Sequence, residues 1–289
     1  MNAKFKLITT VCLSVILMTG CKPKTTAYSG SNVDNPLTFD TLAVNETYHL
    51  LGDTTNPCCV LEAAFIYPSG YNDRTLLDKF NRQFVTAFFG ENAEEMTPQE
   101  AMDNYVKSYI TDYKELEDDF GAEIRTNSVP PLTIAGFTFY ETLSNEIVYN
   151  MDGILSYIVS VESYTGGAHG SRSYTNHVLY LKNGEELHEQ DIFKDNFQDK
   201  LAKIIVEAIA SNYQLMEAKS LESLGFFNIN EIYPNDNFYV DALGITYTYN
   251  IYEIAPYAAG CIDVFLPYDK IQHLIREDSP ITPLVFPKR

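Results

Sequence analysis

The hydrophobic period of this chain switches repeatedly between two and helical spacing, and those switches limit the fold more than any composition figure does. Between residues 76 and 120 the apolar residues recur at helical spacing. Leu76, Leu77, Phe80, Phe84, Ala87 and Phe88 form one stripe, ended by Gly90; Met102, Val106, Tyr109, Ile110, Tyr113, Leu116 and Phe120 form another, running to Gly121. The second stripe has a strong start, with Thr97 as N-cap, Pro98 at the first helical position and Glu100 placed to complete a capping box. On either side the period is two. Thr38–Leu51 and Cys59–Tyr67 read as strands, the latter closing at the turn Pro68-Ser69-Gly70. Phe137–Asn150, Ile154–Ser163 and Tyr174–Leu181 follow, joined by turns at Met151-Asp152-Gly153 and Lys182-Asn183-Gly184. A helix is predicted from Asp195 to about Met216, and Phe238–Ala242, Ile245–Tyr249 and Cys261–Leu266 close the sheet. Helices grouped between runs of hairpin strands predict an α+β fold rather than a doubly wound parallel sheet. The expected architecture is antiparallel sheets with helices packed on one face, in two associated subdomains.

The N-terminus carries a different kind of segment. Lys4 and Lys6 precede an apolar stretch, Leu7 to Met18, that is too short to span a bilayer and is flanked as a secretory leader is. It ends Leu17-Met18-Thr19-Gly20-Cys21, which resembles a lipobox, with Met18 where leucine is commonest. The resemblance implies cleavage before Cys21 and acylation of its sulfur. Residues 1–20 are then a lipoprotein signal peptide, and residues 21–39, rich in Lys, Pro, Thr, Ser, Gly and Asn, a flexible tether. No run of acids follows Cys21, so a periplasm-facing position in the cell envelope is favoured over a surface-exposed one. No later apolar run approaches about 20 residues, which leaves the acyl chain as the expected anchor.

Charge narrows the partners. The full chain has 20 Lys+Arg against 39 Asp+Glu. Removal of residues 1–20 takes two lysines and no acid, leaving 18 against 39, a net charge of −21. Such a surface repels nucleic acid and anionic lipid and attracts cationic partners. Cys58, Cys59 and Cys261 remain beyond Cys21. Adjacent Cys58 and Cys59 are too close to bridge in relaxed geometry. Strand parity puts Cys59 with Leu61, Ala63 and Phe65 on a buried face, and Cys261 with Asp263 on the face opposite Ile262, Val264 and Leu266. Any bridge would therefore join Cys58 to Cys261. No Cys/His spacing resembles a zinc site, and no cofactor is implied.

Two stretches stand out as motifs. Tyr164-Thr165-Gly166-Gly167-Ala168-His169-Gly170 can bend sharply or expose several N–H groups. In Tyr252-Glu253-Ile254-Ala255-Pro256-Tyr257-Ala258-Ala259-Gly260 a strand bends at Pro256 and re-enters the sheet before Leu266-Pro267-Tyr268. Together they resemble the extracytoplasmic family in which a PdaC-like domain (DUF4163) precedes a DUF3298 domain. The glycine-rich turn matches the seam, placing the first domain at residues 40–170 and the second at 171–289. Tyr180-Leu181-Lys182-Asn183-Gly184 with Asp191-Ile192-Phe193 is similar to the second domain's opening, and Glu253 to Gly260 to its close. Some relatives are anti-sigma factors whose outer part binds lysozyme; others carry the first domain beside a peptidoglycan deacetylase. This sequence shows neither a later membrane-spanning run nor the deacetylase's Asp/His metal motif, so the resemblance carries over neither activity and no catalytic residue.

The candidate ligand-binding residues are Tyr164, Gly166, Gly167, His169, Glu253 and Tyr257. His169 lies near Glu162, Ser163, Ser171 and His177 in sequence, but a nucleophile needs a base in reach and a third group to orient it, and no Gly-x-Ser-x-Gly elbow exists. The leading expectation is a non-enzymatic, lipid-anchored binding protein for an envelope or host component, with a cationic protein such as lysozyme as the sharpest candidate. The alternative is a hydrolase of cell-wall glycan or peptide with its cleft near His169 and Glu253. A third expectation is a purely structural envelope protein. Asp40-Thr41-Leu42 and Asp53-Thr54-Thr55 also resemble an O-glycosylation acceptor.

Overall fold

The computed structural model describes residues 36–125 and 136–287. The leader, Cys21 and the tether through residue 35 lie outside the described residues. β1 (Thr38–His49) pairs antiparallel with β2 (Cys58–Gly70), so the chain is already in a strand at Thr38. Three helices follow: α1 (Arg74–Phe89), α2 (Pro98–Lys114) and α3 (Glu117–Arg125). β3 (Phe139–Met151), β4 (Ile154–Tyr164), β5 (Ser171–Tyr180) and the two-residue β6 (Glu185–Glu186) complete a six-stranded sheet in sequential order. α4 (Glu189–Ile192) and α5 (Gln198–Asn212) lead to a second, three-stranded sheet of β7 (Phe238–Val240), β8 (Gly244–Tyr249) and β9 (Ile262–Pro267). Two short helices, α6 (Tyr268–Ile271) and α7 (Thr282–Val285), end the chain.

The α+β class holds, with one refinement. Every neighbouring strand pair is antiparallel except β2 and β3, which run parallel. The helical block between them is the cause: a long crossover returns the chain to the end of the sheet from which β2 set out, whereas a hairpin cannot. Local start signals behave as written. Thr97 Oγ1 accepts from the Glu100 N–H at 3.3 Å, and Glu100 Oε2 accepts from the Thr97 N–H at 2.9 Å. Asp73 caps α1 in the same way, taking the N–H groups of Thr75 and Leu76 at 2.9 and 3.1 Å. The single long stripe ending at Gly121 is broken at Glu115–Leu116 into α2 and α3.

Helices cover one face of the large sheet. Phe80, Phe84 and Phe88 of α1 are buried with Phe65, Leu155, Tyr157 and Leu179 of the strands, and the Phe84 and Tyr157 rings stack at 4.0 Å. The other face, at β4 and β5, is covered by the second sheet instead. Ile154 and Val178 share a core with Phe238, Val240 and α5. Strands buried on both faces lose the apolar–polar alternation, and Ile154 to Tyr157 are buried in succession. On β8 the odd residues Ile245, Tyr247 and Tyr249 join that core, while Thr246 and Thr248 occupy the opposite face. That polar face fronts the large sheet, and the gap between them forms a cleft.

Candidate functional site

The glycine-rich turn connects β4 to β5. Gly166 and Gly167 hold φ of +87° and +96°, the left-handed region that L side chains avoid. A Cβ on Gly166 would also lie 3.0 Å from the Gly136 carbonyl oxygen, so this turn needs glycine for conformation and for close approach. Tyr164 donates its hydroxyl hydrogen to the Gly167 carbonyl at 2.9 Å, and its ring stacks on Tyr140 at 6.0 Å. His169 is exposed. Its Nδ1 donates to the Gly170 carbonyl at 3.0 Å and its ring stacks on Tyr257 at 3.9 Å. Tyr257 in turn donates to the same Gly170 carbonyl at 3.1 Å, tying the two motif loops together.

Glu253 is held inside its own turn. Its carboxylate accepts from Asn235 Nδ2 at 2.6 Å and from the Asn250 N–H at 2.7 Å. Asn250 reaches across to β5, accepting from the Tyr174 N–H at 2.8 Å and donating to the Tyr174 carbonyl at 3.0 Å. Glu253 thus fixes the loop that walls the cleft.

The cleft itself lies between the two sheets and has a volume of about 690 Å³. Of the residues singled out in the sequence, Tyr257 lines it; Tyr164, Gly166, Gly167, His169 and Glu253 do not. From the large sheet it takes Glu146, Glu162, Arg172, Tyr174 and Asn176; from the small sheet, Tyr239, Thr248 and Asp263, with Cys261 just before β9. Glu162 and Arg172 are direct cross-strand partners, and the guanidinium donates to Glu162 Oε2 through Nε at 2.9 Å and through Nη2. This pair raises the Arg172 pKa further above its ordinary value. The floor is a relay of three side chains. Asn176 Nδ2 donates to Thr248 Oγ1 at 2.9 Å, and Thr248 donates to Asp263 Oδ1 at 2.8 Å. Asp263 opens onto the cleft and is exposed there, with the two sheets rising on either side of it. Desolvation pushes its carboxyl above the ordinary carboxylate range, and the Thr248 hydrogen bond opposes that shift.

Parity explains which side chains meet. On β5, Arg172, Tyr174 and Asn176 line the cleft, whereas His177 lies on the other face. There its Nδ1 is 2.6 Å from Glu186 Oε1 and its ring stacks on Tyr157 at 4.8 Å. His177 and His169 therefore belong to different surroundings despite their closeness in sequence. The pairing of Cys261 with Asp263 on one strand face is as parity predicts. The Cys58–Cys261 bridge is not formed, and both thiols are free. Cys261 sits instead 3.8 Å from the Arg172 carbonyl and from Asn250 Oδ1, within the cleft wall. Arg172, Asn176 and Asp263 were not singled out from the sequence, although alternation alone places each on its face.

Among the described residues no three His, Cys, Asp or Glu side chains stand close enough to share a metal ion, and no helix is long and apolar enough to cross a membrane. A family profile described as deacetylase PdaC matches residues 55–172, and one described as a protein of unknown function, DUF3298, matches residues 190–269. No curated protein matches the sequence. Among solved structures, a DUF3298-family protein of Pseudomonas aeruginosa PAO1 shares the fold at TM-score 0.59 and 16% identity, covering 89% of this chain and all of that one. A crystallised member of the DUF3298 family from Bacteroides fragilis NCTC 9343 aligns at TM-score 0.82 with 30% identity, again over 89% of this chain and 100% of its own. With that identity across the whole of the Bacteroides protein, the chain belongs to the DUF3298 family.

Proposed function

We propose that this chain is a non-enzymatic binding protein of the cell envelope, anchored by an acylated Cys21 and facing the periplasm, that recognises a cationic envelope or host component. The observation that carries this reading is the inter-sheet cleft, whose Glu146 and Asp263 have no ion-pair partner among the described residues, on a chain of net charge −21 after cleavage. The lipobox-like Leu17 to Cys21 supports the anchor and the acidic surface supports the charge of the partner. A lysozyme-like protein is the sharpest candidate. Binding steered by charge weakens steeply as salt rises over the range where the Debye length shrinks from about 30 Å to about 8 Å. Titration of the full chain with lysozyme at low and physiological ionic strength tests it: salt-sensitive association is expected, and none at low salt removes lysozyme as the partner.

One observation favours a hydrolase as a second reading: Asp263, a carboxyl raised by desolvation inside a cleft, has the character of a general acid. Turnover of cell-wall fragments that Asp263→Asn abolishes, at unchanged melting temperature, would establish it.

A further inference from the structure

The hydrogen-bonding capacity of the cleft floor is one-sided. Asn176 is 5% exposed, and both protons of its amide nitrogen are engaged, by the Asn237 carbonyl at 3.3 Å and by Thr248 Oγ1 at 2.9 Å. The carbonyl acceptor fixes which way the amide faces. Its oxygen, Oδ1, is buried and has no protein donor. The Thr248 proton is engaged by Asp263 Oδ1, so the floor has no free donor of its own to offer Asp263, whose Oδ2 has no hydrogen-bond donor among the described residues. Arg172, the cation of the cleft wall, is paired with Glu162. What the floor lacks is a donor, and an acceptor taken from water without one is left unsatisfied.

The walls add two features. Ile158 and Ile251 line the cleft beside Tyr174, Tyr239 and Tyr257, so an aliphatic stem meets apolar and aromatic surface. Glu146 is a second acid without an ion-pair partner among the described residues, and the charges of Asp263 and Glu146 both act on the Tyr239 hydroxyl, placing all three in one neighbourhood.

We infer that the cleft is a receptor for an ammonium or guanidinium group on an aliphatic stem, with Asp263 as its counter-ion above a floor whose buried Asn176 Oδ1 is left without a donor. This deepens the proposed recognition of a cationic component, on which it rests, by naming the group that enters. A lysine or arginine side chain of a partner protein and a free polyamine share this chemistry.

The test uses the full chain and three blocked amino acids: N-acetyl-lysine methylamide, N-acetyl-arginine methylamide and the uncharged N-acetyl-norleucine methylamide. Binding is followed by NMR shifts of residues around the cleft. The lysine or arginine probe is expected to bind at least about tenfold more tightly than norleucine, the scale of one charge-assisted hydrogen bond. Asp263→Asn should lose that preference, while Glu94→Gln, at an exposed acid outside the cleft, keeps it. 1,4-Diaminobutane separates the sources: stronger binding of the diamine than of blocked lysine identifies a free amine as ligand, and the reverse a side chain. Equal affinity for norleucine, shifts away from the cleft, or an unchanged preference in Asp263→Asn overturns the inference. If lysozyme fails to bind while blocked lysine binds selectively, the partner is wrong and the receptor stands; if lysozyme binds equally to wild type and Asp263→Asn, the receptor is wrong and the partner stands.

Discussion

Ser156 and Val240 exchange two hydrogen bonds between the two sheets: the serine hydroxyl donates to the Val240 carbonyl at 2.7 Å and accepts from its N–H at 3.2 Å. Both residues are fully buried. β7 is an edge of the small sheet, and an edge strand presents backbone groups that must find partners elsewhere. Ser156, projecting from the middle of the large sheet, supplies both, so one side chain sets the height at which the small sheet sits and the width of the cleft beside it.

Ser156→Ala therefore leaves two buried backbone groups of Val240 without partners and is expected to cost about 1–3 kcal/mol. Ser160→Ala, which removes a half-buried hydroxyl 2.8 Å from that of Ser144 on the same sheet, should cost less than about 1 kcal/mol. Urea unfolding of the two variants measures the difference. Equal losses would mean that the Ser156–Val240 exchange does not hold the sheets together.

The contrast between these serines also shows where sequence stops being legible. Strand parity read correctly along β2 and β9: Cys59, Leu61, Ala63 and Phe65 are buried, and Ile262, Val264 and Leu266 alternate with open positions. The α2 capping box was legible because its chemistry is local to four residues. Parallel pairing of β2 with β3 was not, because it depends on where a helical crossover lands. The cleft stayed hidden for the same reason. Arg172, Asn176, Thr248 and Asp263 are unremarkable polar residues on their strands, and only the docking of two sheets across 70 or more residues makes them neighbours. His169 and Glu253 drew attention through local motifs, and those motifs form turns beside the cleft, with neither side chain lining it.

Those turns carry their own expectation. Gly166 and Gly167 share a positive φ, but a Cβ on Gly166 meets the Gly136 oxygen at 3.0 Å while one on Gly167 meets nothing within 4 Å. Gly167→Ala should cost the conformational strain alone, about 1–2 kcal/mol. Gly166→Ala should cost more. Thermal melts of both variants check the order, and a Gly166→Ala loss at or below that of Gly167→Ala would contradict the close approach.

His169 and Glu253 should likewise separate. His169→Ala removes an exposed ring and is expected to change stability by less than about 0.5 kcal/mol. Glu253→Ala removes the acceptor of the Asn250 N–H and so loosens the residue that bridges to Tyr174, for a loss of about 1 kcal/mol. Hydrogen exchange across residues 250–260 should quicken in Glu253→Ala and stay unchanged in His169→Ala. Matching behaviour in the two variants would show that Glu253 does not fix the loop.

Asp263 gives a pH signature of defined sign. Its carboxyl is raised from the ordinary 3.8 by desolvation, against the opposing Thr248 bond, so the folded protein holds this proton more tightly than the unfolded chain. Between the ordinary value and the raised one, the folded state keeps a proton that the unfolded state has lost. Stability from this site therefore falls as pH climbs through that window and stays lower above it. Asparagine keeps an oxygen for the Thr248 hydroxyl and carries no charge to desolvate. Asp263→Asn should thus match wild type near pH 3 and melt at a higher temperature at pH 7. A lower melting temperature at pH 7, or a difference that does not change with pH, would mean that the cleft leaves this carboxylate as well solvated as bulk water does.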